Sequence, residues 1–117
     1  ARPAVELRAD ICQYAQRAAG RLELKTTLQE GDVTLLDQYL KPGYGIVTPR
    51  LRDTVRTIGR LHGLVLDPVY NAKTALALID QATTRAIPQG STVVLINTGG
   101  GPGIYPHNAV LHSDEQL

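Results

Sequence analysis

The sequence predicts an α/β protein, a layered parallel or mixed sheet covered by helices, and three observations predict it. Apolar residues recur at helical steps in three separate stretches. The run Thr92-Val93-Val94-Leu95-Ile96 is continuously apolar and β-branched, as in a strand covered on both faces. That run empties into Asn97-Thr98-Gly99-Gly100-Gly101-Pro102-Gly103, a glycine loop placed where open α/β sheets bind their ligands.

The first helix is expected from Pro3 to about Arg21, with Val5, Ala9, Cys12, Ala15, Ala19 and Leu22 on one face and Gly20 marking its end. A polar, irregular stretch leads to Asp32-Val33-Thr34-Leu35-Leu36-Asp37, a short strand-like run bounded by charges. Lys41-Pro42-Gly43-Tyr44-Gly45 suits neither helix nor strand and is read as a loop. The second helix has the clearest limits. Thr48 is its N-cap, Pro49 its first residue, Leu51, Val55, Ile58 and His62 its stripe, and Gly63 its stop. After the brief apolar run Leu64-Val65-Leu66, Asp67-Pro68 opens a third helix, from about Asn71 to Arg85, with Ala72, Ala75, Leu76, Ile79 and Ala82 facing inward. A doubly covered strand at residues 93–96 needs neighbours on both edges, so the missing strands are expected from another polypeptide segment. The tail Ser113 to Leu117 is expected to be mobile.

At 117 residues the chain is one domain at most. A formal net charge of +1 gives no reason to expect nucleic acid or an anionic membrane as partner. Five tyrosines are the only aromatic residues, so the core must be aliphatic. No window approaches the roughly 18 apolar residues that span a bilayer, and Ala1-Arg2-Pro3 lacks the apolar run of a signal peptide. A cytoplasmic protein is expected. The single Cys12 reads as a small core residue. His62, His107 and His112 do not pair at a short ligand spacing with a carboxylate or thiol, so no metal site is expected.

Individually the candidate site motifs have plain structural readings. The glycine loop lacks both the dinucleotide fingerprint and the Walker pattern and can be a strand-to-coil turn. Asp67 can be a helix cap, with Pro68 in the first turn, and Asn71 can be another capping residue. Tyr44 stands between Gly43 and Gly45, which lets backbone approach a ligand while the ring is presented to it.

Three blocks together are more specific. Lys41-Pro42-Gly43-Tyr44-Gly45-Ile46, then Gly63-Leu64-Val65-Leu66-Asp67-Pro68-Val69-Tyr70-Asn71-Ala72-Lys73, then Val94-Leu95-Ile96-Asn97-Thr98-Gly99-Gly100 resemble, in order and spacing, blocks of the pyridoxal-phosphate enzymes of the D-cysteine desulfhydrase and aminocyclopropane-carboxylate deaminase family, which are of fold type II. The resemblance covers roughly residues 5 to 103. It implies that residues 1–117 are a single C-terminal segment of that family's large cofactor-binding domain, an incomplete part of the fold. It also implies that Tyr44 and Tyr70 are catalytic tyrosines and that Asn71, Thr98 and Gly99 contact the cofactor. A hydroxyl facing the pyridine nitrogen holds it less firmly protonated than a carboxylate would, which favours elimination chemistry. The sequence departs from the family's pattern at three places. Asn71 is neither the deaminase Glu nor the desulfhydrase Thr, Asn97 replaces a His, and Val47-Thr48-Pro49 is one residue longer than the usual link.

The resemblance begins after the family's cofactor lysine and phosphate loop, and Lys73 does not match that lysine. The resemblance therefore implies part of a pyridoxal-phosphate-dependent lyase or deaminase acting on a small amino acid, D-cysteine desulfhydrase-like and inactive alone. Its partner would be a missing N-terminal part or a second copy of the chain, in a homo-oligomer. The alternative is a non-catalytic binding or assembly module derived from the same fold, with Tyr44 and the Thr98 to Gly103 loop as a small anion pocket.

Overall fold

Local signals place the helices. The structure, a computed structural model, describes residues 4–112; the start of the first predicted helix at Pro3 and the tail from Ser113 to Leu117 lie outside them. Among the described residues four α-helices form, α1 (Ala4–Arg21), α2 (Pro49–His62), α3 (Asn71–Thr83) and the short α4 (Asn108–His112). Turns of 3-10 helix add Glu30–Asp32, Asp37–Leu40 and Gly101–His107. The chain divides into two compact units, Ala1–Gln38 and Tyr39–Leu117.

In the first unit, the 3-10 turn at Glu30–Asp32 lies against α1. Gly20 does not end the helix. The closing residue is Glu23, in the left-handed region at φ 53, and the Leu24 amide donates back to the Ala19 carbonyl at 2.9 Å. Cys12 is buried and unbridged. Val5, by contrast, is exposed, so the expected face is narrower than its periodicity suggested.

The second unit is built on the pair α2 and α3. Thr48 Oγ1 accepts from the Leu51 amide at 3.2 Å, and Pro49 occupies the first turn, where no backbone donor is needed. At the other end Gly63 adopts φ 65, and its amide closes on the Gly59 carbonyl at 3.0 Å. That conformation suits glycine, because a Cβ would crowd the following carbonyl. Leu51, Leu66, Ala72 and Ala75 form the buried cluster, with Val47, Val55, Ile58, Leu76 and Leu95 packed around it. Alanines on the α3 face let the two helices approach closely, and the core is aliphatic and thin. Ala77 joins the buried face of α3, whereas the expected Ile79 and Ala82 are exposed. On the polar side Asp80 accepts from the Tyr39 hydroxyl at 2.7 Å and pairs with Arg50, tying α3 to the start of α2. Helix α4 packs on α2 and on the preceding 3-10 turn.

The predicted sheet is not there. Among the described residues no strand forms, and the architecture is helical rather than a layered α/β sheet. A strand is a paired object, and its amides and carbonyls need a ladder. The three apolar runs at 33–36, 64–66 and 92–96 do not pair with one another. The first is enclosed between two 3-10 turns, and the second is the short link between the Gly63 cap and Asp67. The run at 92–96 is accordingly not covered on both faces. Leu95 packs on the core, but Val94 is 82% and Ile96 73% exposed. Continuous apolarity signals burial only when the covering layers are present.

Leu51→Ala is expected to lower the unfolding free energy by about 2–5 kcal/mol through lost burial and a residual cavity. The exposed Leu61→Ala control should change it by no more than about 0.5 kcal/mol. Urea unfolding followed by circular dichroism checks both.

Candidate functional site

The candidate site is assembled at the start of α3. Asp67 is only 2% exposed, and a carboxylate so buried must have its acceptor capacity filled. Four donors fill it. Oδ1 accepts from the Val69 amide at 2.9 Å and the Tyr70 amide at 2.7 Å. Oδ2 accepts from the Asn71 amide at 2.9 Å and from Asn71 Nδ2 at 2.5 Å. The Asp67 carbonyl also receives the Ala72 amide at 3.0 Å. Thus Asp67 holds the turn at 68–70 and the first amide of α3, whose N-cap position is Tyr70 with no side-chain bond of its own, and Pro68 lies in the turn, where it contributes no donor.

Asn71 carries this anchorage across to the glycine loop. Its Nδ2 donates to the Gly99 carbonyl at 2.7 Å, and its Oδ1 receives the Thr98 amide at 3.1 Å and the Thr98 hydroxyl at 3.4 Å. Asn97 Oδ1 accepts the Gly99 amide at 2.9 Å within the loop. Gly99 and Gly100 take φ values of 94 and 87. A Cβ on Gly100 would lie 3.2 Å from Asp67 Cβ and Cγ, so the loop backbone rests directly against the buried acid, and glycine is required there.

On the other side of the α3 start stand the two tyrosines. The Tyr70 hydroxyl donates to the Tyr44 oxygen at 3.1 Å, and the rings meet edge to face with centroids 6.0 Å apart. Both rings are largely exposed. Lys73 Nζ reaches the Gly43 carbonyl at 3.3 Å, fastening the Tyr44 loop to α3.

The structure therefore brings Tyr44 to Tyr70, and Asn71 to Thr98 and Gly99. It joins the two groups through the adjacent residues Tyr70 and Asn71, whose amides share the Asp67 carboxylate. Sequence reasoning read Asp67 only as a cap and set Lys73 aside as not matching the cofactor lysine. The Asp-Pro pair signalled the cap, but nothing local signalled the contact with the glycine loop. A cavity of about 400 Å³ lies elsewhere, beyond the C-terminal half of α3, lined by Leu78, Ala82, Ile87, Pro88 and Val93 among others; none of the five candidate residues lines it. No described helix is long and apolar enough to cross a membrane.

Two titrations are displaced. Burial pushes the Asp67 carboxyl up, but the hydrogen bonds from the Asn71 amide, the Tyr70 amide, the Asn71 side chain and the Val69 amide outweigh it and hold the group below the usual range. The hydrogen bond with Tyr44, aided by partial desolvation and by the neighbouring Tyr44 and Asp67 charges, raises the Tyr70 phenol above its ordinary value. The Tyr70 hydroxyl is the donor in that hydrogen bond.

No protein-family model matches the chain. It is similar to 1-aminocyclopropane-1-carboxylate deaminase of Allorhizobium ampelinum, with 33% identity over 99 residues, 85% of this chain and 29% of that protein. With the enzyme of the same name from Mesorhizobium japonicum it shares 36% over 97 residues, 83% of the chain and 29% of the relative. With D-cysteine desulfhydrase of Salmonella typhi it shares 31% over 107 residues, 92% of the chain and 32% of the relative. The chain belongs to the family of these deaminases and desulfhydrases and spans about a third of the length of the relatives it matches.

The Asp67 shift links to stability with a definite sign. Because the folded-state pKa lies below the unfolded one, the contribution is present above about pH 4 and is lost as pH falls through the folded value. On acidification from neutrality to below that range, Asp67→Asn should lose less unfolding free energy than the unaltered chain, measured by urea unfolding at each pH. Separately, Tyr44→Phe should bring the Tyr70 ionisation down toward about 10, read by ultraviolet difference titration of the remaining tyrosines.

Proposed function

We propose that this chain supplies one wall of the active site of a pyridoxal-phosphate-dependent lyase or deaminase acting on a small amino acid, with D-cysteine desulfhydrase-like β-elimination as the reaction. The rest of the site, including the lysine and the phosphate loop, belongs to polypeptide outside this sequence, and the chain alone is inactive. The reading places this segment in the C-terminal part of a cytoplasmic homo-oligomeric enzyme. One observation carries it. Tyr44, Tyr70, Asn71, Thr98 and Gly99, drawn from two loops and a helix start, lie in a single hydrogen-bonded constellation around Asp67. Separate capping and loop roles would not require that convergence.

The residues present fit the cofactor on one side. Thr98 is exposed, and its hydroxyl, whose proton goes to Asn71 Oδ1, keeps lone pairs that can accept from a protonated ring nitrogen. The Gly99 and Gly100 backbone has no side chain to hold a flat ring away. When bound, pyridoxal phosphate supplies an electron sink for breaking bonds at the amino acid's α-carbon.

This chain's own groups would orient and move protons. The Tyr70 O–H donates a hydrogen bond to Tyr44 Oη, which leaves the Tyr44 O–H to turn toward a substrate. Tyr44 is then the group placed to pass a proton at that atom, with Tyr70 steadying its oxygen. Asn71 would hold the Thr98 hydroxyl and, through the Gly99 carbonyl, the loop that carries it.

Titration of the ¹⁵N-labelled chain with pyridoxal phosphate tests the reading. The expected result is weak, non-covalent perturbation concentrated at Tyr44, Tyr70, Thr98 and Gly99, with no borohydride-stable adduct on Lys25, Lys41 or Lys73. Perturbations confined to the cavity beyond α3, or a reduced adduct on any of those lysines, would overturn it.

A further inference from the structure

We infer that Asp67 and Asn71 are positioning residues, a two-membered joint that holds the Thr98–Gly99 loop and Tyr70 in one register, and that Asn71 itself makes no contact with a ligand. The inference rests on the proposed site, and it changes the role the sequence implied for Asn71. The reason is valence. A carboxamide has two N–H donors and an oxygen that accepts about two hydrogen bonds. Both Nδ2 donors are spent, on Asp67 Oδ2 and on the Gly99 carbonyl. Both acceptor positions of Oδ1 are spent, on the Thr98 amide and the Thr98 hydroxyl. The two ends cannot be exchanged, because a carboxylate and a carbonyl only accept while the Thr98 amide only donates. At 3% exposure the side chain has no surface left for a further partner.

Asp67 is saturated in the same way, by three amides and the Asn71 side chain. It contacts both halves of the site. One oxygen holds the Tyr70 amide, which places the ring beside Tyr44, and the other holds Asn71, which places the loop. Gly100 sits so close to the same side chain that a Cβ there would lie 3.2 Å from Asp67 Cγ, so only glycine lets the loop take this seat. What remains to meet a ligand is the exposed set of the Thr98 hydroxyl as an acceptor, the glycine backbone and the tyrosine hydroxyls.

Proton exchange in the ¹⁵N-labelled chain tests the joint without any cofactor. The Asn71 side-chain amide protons should exchange about tenfold or more slowly than those of the exposed Asn97 and Asn108, as loss of a charge-assisted hydrogen bond implies. Their shifts and that of the Thr98 amide should move together on acidification, with an inflection below the ordinary carboxyl range. Exchange as fast as at Asn97, or titration of neither resonance, overturns the inference whether or not pyridoxal phosphate binds.

Asn71→Ala separates the roles further. Pyridoxal phosphate perturbations at Thr98 and Gly99 should weaken about tenfold while those at Tyr44 persist, and the α2 amides of Leu51 and Thr54 should stay protected. Unweakened perturbations at Thr98 and Gly99 in that variant would refute a positioning role. Absence of any perturbation in the unaltered chain would instead refute the proposed site and leave the exchange result standing.

Discussion

The second unit depends on a buried acid with its acceptors filled. Asp67 lies where the α2–α3 link must turn inward, next to the fully buried Leu66 and Pro68. A carboxylate taken out of water there costs several kcal/mol unless it is compensated. Compensation comes from amides at the start of α3 that would otherwise be unsatisfied, and from Asn71. A helix start lacking partners and an anion lacking solvent thus solve each other's problem. Each such bond to a charged group contributes on the order of 1.5–3 kcal/mol. The geometry of everything attached to those amides follows.

The aliphatic core sets what this anchorage can build on. With no Phe or Trp to bridge wide gaps, α2 and α3 must approach closely, and Ala72 and Ala75 on the buried face allow it. Close approach puts the α3 start beside the loop that follows Leu95, which packs on the same cluster. Lys73 and Asn71, both on the first turn of α3, then reach in different directions, one to the Gly43 carbonyl and the other to Gly99. The first turn of one helix thereby gathers two loops that are distant in sequence.

The helices were legible because their determinants are local. Thr48, Pro49 and Gly63 act on backbone groups within four residues of themselves, and the structure realises each of those roles. The sheet was not legible in the same sense. Thr92 to Ile96 has a strand's composition, but a strand's partner is a tertiary fact, and Val94 and Ile96 stand exposed without one. Helix faces were read too widely for a related reason. Periodicity marks Val5, Ile79 and Ala82 as apolar positions, but which of them is covered depends on neighbours that a window of sequence does not contain. Within the site, family blocks named Tyr44, Tyr70, Asn71, Thr98 and Gly99, while the residue that connects them was read only as a cap.

That omission has a physical cause. A cap is recognised by its donors, which follow it in sequence, whereas the second duty of Asp67 is owed to Asn71, whose other hydrogen bonds cross to a loop beyond α3. An asparagine at the first position of a helix looks expendable when only the helix is considered, because the acid four residues earlier already accepts its amide. Here the amide's bipolar character is what the position uses. It must donate to an anion and a carbonyl and accept from an N–H at the same time. A glutamate would set a second negative charge against Asp67, and a threonine could not donate twice. The departure at residue 71 is therefore consistent with its surroundings. The polar contact a ligand would need moves outward to Thr98, whose hydroxyl is turned by that same amide and still faces solvent.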